Sequence, residues 1–328
     1  MTAPIAVPRP TGRTRAKFGR AALSIVLGLL TAPSGQSAEV AVEDLAATEA
    51  LFDASRDLLD VKLSVDAMVN PSSKTDAVRS EVEKMAAQIT AMAGKDADSA
   101  TKLVTLKRYL YETGAWNDNK PFEYDLNDPL GTNPANRLLQ HYLTARRGNC
   151  ITMPILFAVL GERIGLNMTL AEAPLHVFVK YTDDGGKLWN LEPTSGGGFT
   201  RDEWYRRKLP MSDLAVTNGV YLRALSHHEA VAVIASFLVE HEIGNGQFEN
   251  ALTISNVLLR HYPNFAYGLV KQGSAYSAIL RRELAAYKRM EDIPTDLKAN
   301  ADWWYERNIE AFAKAEALGW RPQDGQVQ

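Results

Sequence analysis

Between residues 151 and 192 the chain changes its hydrophobic period once, and that change constrains the fold more than any other feature. Ile151, Ile155, Leu156, Val159, Leu160 and Ile164 make a segment apolar on most faces, closed by Gly165. Such a segment predicts a buried helix. Residues 175–181 and 187–192 then alternate apolar and polar side chains on either side of Thr182-Asp183-Asp184-Gly185-Gly186. Alternation around a Gly-containing turn predicts an antiparallel hairpin. A buried helix followed at once by a hairpin argues for an α+β architecture and against an all-helical chain.

The turn sets an expected register. A three-residue loop over 183–185, with Gly185 left-handed, pairs Thr182 with Gly186. His176 then lies directly opposite Glu192, and Phe178 opposite Asn190. Val177, Val179, Trp189 and Leu191 fall on the other face, expected to be the core face. A one-residue slip would exchange the two faces.

The rest of the chain reads as helical. Over 40–116, Val78, Val82, Met85, Ile89 and Met92 form one stripe ending at Gly94, and Leu103, Leu106 and Leu110 another before Gly114. Residues 115–133 read as irregular. Asn133-Pro134 has the form of an N-cap with Pro at the first helical position, opening a helix to about Arg146. Thr200-x-x-Glu203 and Ser226-x-x-Glu229 read as capping boxes, and Gly196, Gly197 and Gly198 as a flexible segment. Over 227–320, Ala251 and Ala285 stand one tetratricopeptide period apart, with Gly246, Phe248, Pro263, Leu269, Gly273 and Tyr276 at fitting offsets. A further unit near Trp303 to Leu318 is out of register. The expected organisation is a signal segment at 1–37, a core at 40–215 and a helical module at 216–328.

The first 37 residues carry five basic side chains and no acid, an apolar run over 21–32, and then small residues. That run is shorter than the roughly 20 residues of a membrane span, so a cleaved export signal and a periplasmic or secreted protein are expected. Without that segment, 31 basic and 39 acidic residues remain, a net charge of −8. A mildly acidic body argues against nucleic acid as a partner. No cofactor motif is present, and no second ligand cluster supports a metal site.

Cys150 is the single cysteine. In an exported chain it has no intramolecular disulfide partner, so it is either a buried bystander or a reactive thiol. It stands where a loop meets the apolar helix, and a helix start favours a thiolate. His176 and Glu192, face to face on the hairpin, would supply a base and its orienting acid, with Asn190 as a substitute orienter. The Cys150 backbone N–H is the expected oxyanion donor, and Asn149 a second candidate.

Arg146-x-Gly-Asn-Cys-x-Thr-Met-Pro, Gly161-x-x-x-Gly-Leu, His176-Val-Phe-Val and Asn190-Leu-Glu-Pro-Thr together resemble the transglutaminase-like core superfamily, closest to its bacterial subgroup with tetratricopeptide repeats. The resemblance covers about 55–290 and is strongest over 146–205. It implies a papain-like core of helices and antiparallel sheet, with Cys150 as nucleophile, His176 as base and Glu192 where the family usually has Asp. The implied function is a cysteine-dependent acyl-transfer enzyme that hydrolyses an amide or peptide bond through a thioacyl-enzyme, with a peptide, cell-wall peptide or protein as substrate. The alternative is a silent scaffold that binds a peptide or protein partner through its helical repeats.

Overall fold

The computed structural model describes residues 45–322. The expected export signal lies outside them. The fold is mixed helix and sheet.

After helical residues 45–49 and a 3-10 turn, Ala50–Phe52, come three helices: α1 (Leu58–Val69), α2 (Thr75–Ala93) and α3 (Ser99–Tyr111). Asp57 and Asp98 cap α1 and α3 by accepting from the N–H of Asp60 and Thr101. The predicted stripe on α2 is buried at Val78, Val82, Met85 and Ile89, whereas Met92 is exposed. Residues 115–133 are not wholly irregular. They contain a 3-10 turn, Ala115–Asn117, and β1 (Glu123–Tyr124), which pairs in parallel with β2 (Arg147–Gly148). That short ladder fixes the chain immediately before Cys150.

Asn133 caps as expected, accepting from Ala135 N–H, but Pro134–Arg137 is a 3-10 turn and α4 (Leu139–Ala145) starts anew. A buried ion pair interrupts the helix. Lys62 and Asp66 of α1 bond each other, Lys62 donates to Arg137 O at 2.8 Å, and Asp66 accepts from Leu139 N–H at 2.8 Å. Two polar side chains of α1 thus satisfy the backbone groups that a continuous helix would have paired internally.

The apolar segment forms α5 (Thr152–Arg163), and every residue from Thr152 to Gly161 is buried. It packs on a four-stranded antiparallel sheet of β3 (Asn167–Ala173), β4 (His176–Thr182), β5 (Leu188–Glu192) and β6 (Gly198–Thr200), in that order. The hairpin register differs from expectation by two residues: Thr182 pairs with Leu188 and Lys180 with Asn190. Gly186, not Gly185, takes the left-handed conformation, at φ +78°. Asp183 causes the shift. Its carboxylate accepts from the N–H of Gly185 and Lys187 at 3.0 and 2.8 Å and from the Trp189 indole at 2.7 Å, fixing 184–186 as the loop. A shift of two keeps each side chain on its predicted face, because the strand period is two.

The face expected to lie away from the core is covered. α6 (Asp202–Lys208) places Tyr205 against Phe178, ring centroids 4.3 Å apart, in a separate apolar cluster with Ala171, Ala173 and Leu222. Gly196 and Gly197 form a turn, with Gly197 N–H bonded to Glu192 O, and Gly198 opens β6. The box at Thr200 does not form: Thr200 ends β6, and Arg201 precedes α6 without a side-chain cap.

After α7 (Asp213–Thr217) come four helices: α8 (His227–Gly244), α9 (Phe248–His261), α10 (Ala266–Leu284) and α11 (Thr295–Ala317). Ser226 and Glu229 make the expected capping box on α8, and Arg223 grips the same carboxylate. One continuous core joins Leu59 and Leu63 of α1, Leu156 of α5 and Val179 of β4 to Val231 and Leu238 of α8 and Leu258 of α9. It therefore crosses the expected 215/216 boundary. Among the described residues no helix is long and apolar enough to cross a membrane.

Candidate active site

Cys150 lies two residues before α5, not at its first turn. The turn that carries it is held by Asn149. The Asn149 side-chain oxygen accepts from the N–H of Ile151 and Thr152, each at 3.0 Å, and its carbonyl accepts from Met153 N–H at 3.2 Å. Its amide donates to Asn136 O at 3.0 Å. Asn149 is therefore the cap of this helix entry, and its amide is turned to Asn136 O. The Cys150 N–H donates to Pro129 O at 3.1 Å, so the expected oxyanion donor is also occupied. Sequence reasoning missed this because Pro129 arrives from a loop twenty-one residues earlier. Gly131 in that loop has φ +63°, and a Cβ there would stand 2.7 Å from the Asn149 amide.

His176 begins β4. Its Nε2 lies 2.7 Å from Glu192 Oε2. The two residues are not directly opposite, as the register shift requires. They are diagonal neighbours on one face, a separation that long side chains bridge. The extra methylene of Glu relative to Asp suits that diagonal. With Nε2 on Glu192, Nδ1 is the nitrogen left for Cys150, which lines the same cleft as the ring. The thiol also approaches Leu175 O at 3.5 Å. Leu175 holds a left-handed φ of +55°, a cost that turns the chain sharply into β4.

Glu192 is buried, with four hydrogen-bond donors. Thr194 gives its hydroxyl at 2.7 Å and its N–H at 3.2 Å to Oε1, while His176 and the Tyr205 hydroxyl, at 2.9 Å, share Oε2. Burial pushes the carboxyl up, but the His176 bond and charge, with Thr194 and Tyr205, outweigh it and hold the carboxyl below its ordinary range. Burial likewise pushes His176 down. Bonds to Cys150 and Glu192, and their charges, overcome that and raise the imidazole to about 9. The ring is therefore charged at neutral pH.

Asn190 stands elsewhere. Its amide donates to Asp202 at 2.7 Å, and it pairs with Lys180 rather than Phe178. Tyr205 was not legible as a site residue: nothing local to 202–208 marks it, and only the packing of α6 on the sheet brings it to Glu192.

Cys150 and His176 open into a cleft of about 730 Å³ between the sheet and the C-terminal helices. Val233 and Phe237 of α8, Phe265, and Val270 of α10 give it apolar walls. Glu172 of β3 also lines it. Burial pushes that carboxyl up to about 8, against an opposing bond from the Tyr262 hydroxyl. A sulfur, a charged imidazole and a fixed carboxylate at the end of a water-accessible cleft can carry out acyl transfer.

Comparison with known proteins places this geometry in context. The family model described as the transglutaminase-like superfamily matches residues 76–234, which include Cys150, His176 and Glu192. A UPF0162 protein of Buchnera aphidicola subsp. Baizongia pistaciae (strain Bp) is 22% identical over 144 residues, 43% of this chain and 53% of that protein. The chain thus spans about half the length of the curated relative it matches. No solved structure matches.

Proposed function

We propose, with a transglutaminase-like superfamily domain over 76–234 as the premise, that the protein is an exported cysteine-dependent acyl-transfer enzyme that cleaves an amide or peptide bond. The observation that carries this reading is the run from the Cys150 thiol through His176 to a buried Glu192, with Nε2 and Oε2 at 2.7 Å. Export rests on the basic and apolar pattern of residues 1–37. The helices from 227 onward, read as tetratricopeptide-like, form one wall of the cleft in which a peptide would lie.

In this mechanism the charged His176 ring already holds the Cys150 proton on Nδ1, and the sulfur attacks the substrate carbonyl carbon. A C–S bond forms as the carbonyl electron pair moves to oxygen. Collapse of the tetrahedral adduct breaks the C–N bond, and His176 protonates the departing amine. The neutral imidazole then takes a proton from water, whose oxygen displaces the sulfur and releases a carboxylic acid. Glu192 holds the imidazole in one orientation and stabilises its charged form. Water is the acceptor in this proposal, because no feature of the cleft marks an amine site.

One observation favours the alternative of a silent scaffold: Cys150 is only 2% exposed and its N–H is committed to Pro129. Thiol kinetics separate the two readings. Iodoacetamide should alkylate Cys150 near pH 7 about tenfold faster than free cysteine, and His176→Ala should remove the excess. A rate no greater than that of free cysteine, unchanged by His176→Ala, refutes the enzyme.

A further inference from the structure

The floor of the cleft holds a charge arrangement that the triad does not use. Glu240 of α8 accepts from Arg137 Nη1 at 2.8 Å and from the Tyr267 hydroxyl at 2.8 Å, and Lys271 Nζ stands 3.6 Å from its other oxygen. All four side chains line the cleft that contains Cys150 and His176. Two cations share one carboxylate, so the cluster carries a net positive charge. Exposure of the three charged side chains is low, at 12% for Arg137, 18% for Glu240 and 26% for Lys271, so solvent screens that charge only in part. Arg137 lies over the Phe237 ring and Lys271 over the Tyr267 ring, which limits both to orientations along the cleft wall.

The cluster adjoins the thiol. The Arg137 stem and the Asn149 amide meet at Gly131, at 3.2 and 2.7 Å from the position of a Cβ on that glycine. Arg137 is thus fixed beside the residue that precedes Cys150. The other charged groups on the cleft are His176 with its charged imidazole, Arg281 of α10, Glu316 of α11 and Glu172. Arg281 and Glu316 cancel, and Glu172 with its raised carboxyl adds little negative charge at pH 7. A half-buried excess cation next to a reactive centre has a natural counterpart in a substrate anion.

We infer that Arg137 and Lys271, ordered by Glu240 and Tyr267, form an anion subsite that takes a carboxylate of a peptide substrate while its scissile carbonyl lies at Cys150. The inference deepens the proposed function and rests on it for the role of Cys150. The carboxylate is either the C-terminus of the peptide or an acidic side chain; both present the same planar anion to Arg137 and Lys271.

Paired alkylating reagents test this in the intact protein, because Cys150 is the only thiol. Iodoacetate carries a carboxylate and iodoacetamide does not. The iodoacetate-to-iodoacetamide rate ratio at pH 7 should exceed that of free cysteine. Lys271→Gln should lower it about fivefold and Glu240→Gln should raise it by a similar factor, as expected for one charge acting across a partly desolvated cleft. Opposite signs from two neighbouring neutral substitutions exclude a general loss of structure. A ratio unmoved by both variants overturns the inference while leaving the iodoacetamide rate, and so the enzyme reading, intact. Failure of both reagents to reach Cys150 overturns the accessible cleft on which the subsite depends. Protection of Cys150 from iodoacetamide by N-acetyl-dialanine, or by N-acetyl-glutamate α-amide, distinguishes a C-terminal from a side-chain carboxylate. Protection by neither at tens of millimolar overturns the inference.

Discussion

Glu192→Gln isolates the interaction on which the site depends. The imidazole of His176 stands at about 9 against an ordinary 6.5, despite burial that lowers it. At about 1.4 kcal/mol per pH unit, that rise corresponds to about 3 kcal/mol of preference for the charged ring. Glutamine keeps the length of the side chain and removes its charge. It also cannot satisfy all four donors: whichever way the amide turns, its NH2 faces either Thr194 or the His176–Tyr205 pair. His176 should therefore titrate below pH 7 in the variant, and folding stability near pH 6 should fall by about 2–3 kcal/mol. The pH dependence follows from the direction of each displacement. Because the folded His176 value lies above the unfolded one, its contribution is complete below pH 6.5 and drains away as pH rises towards about 9. The Glu192 value is depressed, so its contribution is complete above pH 4.5 and is lost as pH falls through the folded value. The wild type should gain most from the pair between about pH 5 and 6.5, and the variant should lose that maximum. Imidazole NMR titration reads the first quantity, with His176→Gln to assign the resonance among six histidines, and urea unfolding across pH reads the second. A wild-type His176 that titrates near 6.5, or a variant within half a unit of wild type, refutes the argument.

Asn149→Ala should destabilise the fold by about 1–2 kcal/mol through loss of the cap, read as a lower urea midpoint, and should slow Cys150 alkylation because the turn that holds the thiol loosens. Lys62→Met should cost about 3–5 kcal/mol, because it leaves the Asp66 carboxylate buried without its cation; thermal unfolding reads the loss. Gly131→Ala combines a left-handed φ with a Cβ too close to the Asn149 amide, and should cost at least about 1–3 kcal/mol in a denaturant titration.

Much of the scaffold was legible because it depends on groups near one another in the chain. The stripe on α2, the Ser226 capping box and the all-round burial of α5 follow from helical period and local donors. The hairpin shows where that reasoning stops. Alternation put His176 and Glu192 on one face, and parity preserved this when the register moved by two. Which loop formed depended on three donors converging on Asp183, one of them an indole three residues beyond the loop. The tetratricopeptide period and residues 1–37 remain readings of sequence alone.

Sequence by itself determined the identity and order of Cys150, His176 and Glu192, the helix that follows the thiol and the two strands of the hairpin that carry the other two. Tertiary structure decided their surroundings. Pro129 claims the Cys150 N–H, Tyr205 arrives from α6 to bind Glu192, and Arg137, Glu240 and Lys271 meet from α8, α10 and the loop before α4. Period and capping act over a few residues and leave a mark in local pattern. Contacts between segments tens to a hundred residues apart are set by how packed elements close on one another, and no local pattern encodes them.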